Sequence, residues 1–123
     1  MIGYLSNFGA DAILSGIPMP VSWHAKMHLD DPGADALLNP AADTRRLSFN
    51  MTAPAGGISS NSDEGLLAFA TDTEIITHLS LWDSDTTGDP WWIVEMLSPS
   101  AVIAGTTTRL AKGLLVLQFA IWS

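Results

Sequence analysis

At 123 residues, with a net charge of −8 and no cysteine, the chain has the size of one domain and the wrong sign for a phosphate backbone. Disulfides and thiolate metal sites are excluded. Apolar residues make up 47% and charged residues 15%, a globular composition with apolar surface to spare for other subunits.

The N-terminal "MIGYLSNFGADAILSG" lacks the basic start of a secretory signal. It reads as a short helix over residues 4–15. Leu5, Phe8, Ala12 and Ile13 form its apolar stripe, Ser6 its cap and Gly16 its stop, with Pro18 just beyond. Gly9 is its weak point. Pro18 and Pro20 then impose extended chain.

From Val21 the pattern alternates. Val21, Trp23, Ala25, Met27 and Leu29 are apolar; Ser22, His24, Lys26 and His28 are polar. That is a strand with one buried face. It decides the reading of "HAKMH", whose spacing on a helix would bring His24 and His28 to one metal ion. On a strand they stand about 13 Å apart, too far to share an ion. Ala25 also sits where a zinc protease needs Glu.

Residues 30–46 read as loop, with one helical turn over 34–38. "RLSFNM" resumes the alternation at 46–51, and 52–65 is a second loop. Strands follow at 66–70 and 74–82, then the turn "DSDTTGDP" and a returning strand at 91–97. Residues 101–105 and 106–113 lead into a last strand, 114–122, apolar on both faces as for a central or interface position. About seven short strands and one helix predict a mainly β fold: an antiparallel β-sandwich, or barrel-like, with one short N-terminal helix, as a single domain over 1–123. The expected core is Phe8, Trp23, Met27, Phe49, Leu79, Leu81, Ile93, Leu117 and Phe119. No apolar run reaches the ~20 residues of a membrane-crossing helix.

Motifs for chemistry are sparse. Asp83, Asp85, Thr87 and Gly88 occupy the first, third, fifth and sixth places of a calcium loop, but Val94 stands where the bidentate Glu belongs and Glu95 comes one residue late. An ordinary turn needs the same residue types. No nucleophile elbow or phosphate loop is present, and the carboxylate pairs Asp30/Asp31 and Asp63/Glu64 fall in loops. No catalytic residue, cofactor or metal is expected. Adjacent strand residues point to opposite faces, so if one of Trp91 and Trp92 enters the core the other faces solvent, a sugar or a partner; core packing alone is the competing reading. The candidate subunit interface is Trp92, Val116 and Trp122.

The segments "LSNFGADAIL", "WHAKMHLDDPG", "RRLSFN", "ISSNSDEGLLAF", "THLSLWDSDTTGDP" and "KGLLVLQF", in this order, give the chain a resemblance to small virion proteins of tailed phages often labelled tail fibre protein. The resemblance implies a non-enzymatic structural protein on the exterior of the particle, made in the host bacterial cytoplasm. Its implied partners are further copies of itself and other virion proteins such as the major capsid protein, with a host-surface glycan as a weaker candidate; the charge and the short apolar runs already argue against nucleic acid and membrane. The sequence has no heptads or shaft repeats. That favours a capsid decoration or cement protein, with a tail-fibre or tail-tip module as the alternative and a host-glycan-binding domain, with Trp82, Trp91 or Trp92 as platforms, as the rival class.

Overall fold

The computed structural model describes residues 2–53 and 55–118. Strand β1 (Ile2–Leu5) precedes helix α1 (Asn7–Leu14). Ser6 caps the helix: its Oγ accepts the Gly9 N–H at 3.0 Å and satisfies a donor that the helix cannot. The same hydroxyl donates to the Pro90 carbonyl, and the Ser6 N–H donates to the Trp91 carbonyl at 2.9 Å. The cap thus also fastens the helix to the sheet. Gly16, with φ +78°, ends it. The helix starts later than its apolar stripe predicts, because residues 2–5 pair with a neighbouring strand instead.

Eight further strands follow: β2 (Ser22–His28), β3 (Arg46–Asn50), β4 (Ile58–Ser60), β5 (Gly65–Leu67), β6 (Glu74–Trp82), β7 (Pro90–Val102), β8 (Thr108–Leu110) and β9 (Val116–Gln118). Seven strands make one antiparallel sheet in the order β1-β7-β6-β2-β3-β5-β8, curled into a half-barrel. The fold is therefore mainly β and barrel-like with one short N-terminal helix, as the alternation predicts. Strands β4 and β9 form a separate ribbon. The ribbon continues from the end of β3, where the Thr52 N–H donates to Ser60 O at 2.7 Å. It reaches β1 at its other side, where Leu117 packs on Gly3. It closes over the hollow of the sheet.

The core fills that hollow. The paired residues Trp23↔Phe49, Ala25↔Leu81, Met27↔Leu79, Leu81↔Trp92 and Leu79↔Val94 all point inward and are buried. Each large apolar side chain contributes roughly 1.5–3 kcal/mol. Phe8 packs partly buried against the core, and Leu117 joins it from the ribbon. Ile93 is buried too, but lies outside the main core cluster. Phe119 lies outside the described residues.

Two local expectations fail for identifiable reasons, and the last strand takes one of its two expected positions out of play. Residues 34–38 form a turn rather than a helical turn, since Ala36 and Asn39 take left-handed φ values of 58° and 51°. The 52–65 loop contains β4, too short to show a period. The described part of the last strand is not central: Val116–Gln118 pairs with β4 alone, with Leu117 inward and Val116 38% exposed.

Both Trp91 and Trp92 are buried, at 2% exposure each, so neither faces outward. The register explains this. Leu81 pairs with Trp92 and Trp82 with Pro90, which leaves Trp91 as the extra residue of a β-bulge. A bulge breaks the strict alternation of faces. The Trp91 ring meets Phe8 at 5.6 Å and Trp23 at 6.0 Å, while Trp92 opposes Leu81.

Candidate functional site

On the outer face of the half-barrel the polar halves of the alternating strands come together. One row across the strands runs Trp82, His24, Ser48, Leu66, Arg109; the next runs Ser80, Lys26, Arg46. Between β2, β3 and the 83–89 turn lies an open groove of about 570 Å³. Lys26, Thr44, Arg45, Arg46, Ser48, Asp85 and Thr86 line it, together with Leu67. Three of the five Lys and Arg residues of a chain with net charge −8 thus converge on one feature.

Two of these cations face each other. Lys26 and Arg46 are direct cross-strand partners, an arrangement that costs stability between like charges. Burial lowers the pKa of Lys26, and the Arg46 charge lowers it further. Burial also lowers that of Arg46, with Asp85 and Asp83 acting against it. Arg46 is fixed in place. Its Nη1 donates to Ser84 O at 2.6 Å and Thr87 O at 2.8 Å, and its guanidinium lies 4.3 Å from the centre of the Trp82 ring.

The same turn shows what Asp83 does. Its Oδ1 accepts the Asp89 N–H at 2.9 Å and its Oδ2 accepts Trp91 Nε1–H at 3.2 Å. Gly88, at φ +79°, is needed because a Cβ would lie 2.0 Å from that Oδ1. Asp83 is a staple of the hairpin turn, with both oxygens engaged. Among the described residues no group of three or more His, Asp or Glu is placed to hold a metal ion.

The other marked positions also hold backbone. Arg45 forms a two-pronged bond to Asp43 at 3.0 and 2.7 Å and donates to Ala68 O and Phe69 O. These bonds hold the Asp43 carboxyl at a pKa of about 2, below the usual carboxylate range, against its burial. Buried Asn61 donates to Asp63 O and Ala111 O and accepts the Leu115 N–H, which pins residues 111–115. His28 is fully buried, with Nδ1 at 2.9 Å from Leu38 O and Nε2 at 2.7 Å from Ser80 Oγ. Ser80 Oγ in turn accepts Trp82 Nε1–H at 2.8 Å. Burial lowers the pKa of His28. A neutral ring with Nδ1–H donating to the carbonyl and Nε2 accepting from Ser80 satisfies every partner. His24 sits apart from it, bonded through Nδ1 to Ser48 Oγ at 2.6 Å.

Of the expected interface residues, Trp92 is in the chain's own core, Val116 is exposed on the ribbon and Trp122 lies outside the described residues. Ile58, 42% exposed, lies on the same ribbon face as Val116. The groove escapes sequence reading because Lys26 and Arg46 meet only through a strand pairing. The signal available was that each stands on the polar half of an alternating strand.

No curated protein matches the chain. The family model described as Podophage GP4 fiber I protein gp80 matches residues 1–118. That match spans the segments that carry the phage resemblance up to Gln118, and the chain therefore belongs to the Podophage GP4 fiber I protein gp80 family, a phage tail-fibre type of virion protein.

Proposed function

We propose that the chain is a compact, non-enzymatic module of a phage tail fibre, on the exterior of the particle, acting through contacts. The family match over residues 1–118 carries this reading. The engagement of the polar side chains supports it. Asp83, Arg45, Asn61 and His28 are all bonded to backbone or to one another in ways that stiffen turns and loops. The proposed partners are other copies of the chain and neighbouring virion proteins. The ribbon face carrying Ile58 and Val116 is the proposed subunit contact, in place of the buried Trp92. Capsid decoration, which the lack of shaft repeats favours, is the second reading. One compact half-barrel suits a cement subunit bound in many copies, each stabilising the shell by mass action.

Gold-labelled antibodies against the purified chain, applied to intact particles, separate the two. Label at the tail is the expected result. Label spread over the shell overturns the fibre reading in favour of decoration, and particles without label overturn both.

A further inference from the structure

We propose that the groove between β2, β3 and the 83–89 turn binds an acidic sugar of a carboxylated polysaccharide, with the sugar carboxylate between Lys26 and Arg46. The inference goes beyond the contact role above and does not depend on where the chain sits on the particle.

The like-charge pair is the first observation. Lys26 and Arg46 are opposed across two strands, and among the described residues neither forms an ion pair with a carboxylate. A bound anion would relieve that repulsion. The site is also set in advance, because Arg46 is anchored by two carbonyls and rests on Trp82. Little ordering of the guanidinium remains for a ligand to impose.

The rest of the lining selects among anions. Thr86 presents a hydroxyl and Asp85 an acceptor in the same groove, beside the Ser48 hydroxyl that His24 Nδ1 already engages. A sugar has hydroxyl hydrogens to give to Asp85; a phosphodiester chain has few or none, and would be repelled. The net charge of −8 also opposes a dense polyanion such as DNA. A uronic-acid polymer dilutes its charge with hydroxyls, one carboxylate to a sugar. The Trp82 face toward Arg46 is taken by the guanidinium and is not free for a base. A protein partner would need apolar anchors at the centre of the contact. Leu67 is the one apolar residue in the described lining.

The test uses the purified full chain and oligomers of a polyuronate, alginate, titrated by calorimetry at low ionic strength. Dextran oligomers of similar length and a short single-stranded DNA are the comparison ligands. Saturable binding of the uronate, weakened by salt, with no binding of dextran and weaker binding of DNA, is the expected result. Lys26→Gln should lower uronate affinity about tenfold or more, the loss of one charge-assisted contact. Its thermal midpoint should not fall, since the substitution removes a repulsion. Lys112→Gln, away from the groove, should leave binding unchanged. The proposal is overturned if the folded wild type binds no uronate, if dextran or DNA binds as well, or if Lys26→Gln binds uronate like the wild type. Self-association that Lys26→Gln abolishes, without uronate binding, would assign the groove to a second copy of the chain instead.

Discussion

Gly9 and the Trp91 carbonyl meet with no room for a side chain between them. The approach is close because Ser6, three residues earlier, bonds to Pro90 O and Trp91 O and draws the helix onto β7. Gly9→Ala would gain helix propensity, worth about 1 kcal/mol in an open helix. Here its Cβ would come 2.2 Å from a backbone oxygen. The collision dominates, since neither helix nor strand can shift without breaking the cap. The variant should therefore be destabilised by roughly 1–3 kcal/mol, the usual range for overpacking. A urea denaturation midpoint equal to or above the wild type's would show that α1 does not dock as described. From the sequence this glycine counts only as a helix weakness, because propensity is a local property and the contact is tertiary.

Asp43 and Arg45 stand just before β3, and together they secure the 68–71 loop that follows β5. Asp43 accepts from Arg45 and from the Thr71 N–H, while Arg45 reaches Ala68 O and Phe69 O. Phe69 takes a left-handed φ of 52°, a strained setting for a bulky residue, and its carbonyl is one of those held. The folded state keeps the Asp43 carboxyl ionised down to a pKa of about 2, below its unfolded value. The clamp is then at full strength above the ordinary carboxylate range near pH 4, and its contribution is lost as pH falls toward 2. Asp43→Asn should lower stability at pH 7 by about 1–3 kcal/mol, through weakened bonds to Arg45 and Thr71. The difference from wild type should shrink between pH 4 and 2. Urea unfolding of both proteins at several pH values reads this directly, and a constant difference would mean that Asp43 does not titrate with the fold. At this scale much of the structure was legible. Period-two alternation marks 21–29, 46–51 and 74–82, and the strands run over Ser22–His28, Arg46–Asn50 and Glu74–Trp82. Strand β1 was hidden by the helical stripe that begins at Leu5, and β4 by its length of three residues. The bulge at Trp91 lets both tryptophans be buried, which no alternation rule can foresee.

In the molecule as a whole, the curl of one sheet gives its two faces different contents. Apolar halves of the strands fill the hollow under the β4–β9 ribbon, and polar halves gather the cations on the outside. The pairing order that does this, with β2 between β3 and β6, is set by contacts distant in sequence, so the core was readable from single strands and the groove was not. Charge adds to the separation. A chain of net charge −8 that concentrates Lys26, Arg45 and Arg46 in one groove has a polarised surface. As proposed, this family member is a fibre module that docks through the ribbon and leaves the groove open. The most direct measurement is a density map of the intact particle at side-chain resolution. The half-barrel is expected in tail-fibre density, with Ile58 and Val116 against a neighbouring subunit and Lys26 and Arg46 facing solvent. The same half-barrel found on the capsid shell, or seated with the Lys26/Arg46 groove buried against another protein, would contradict it.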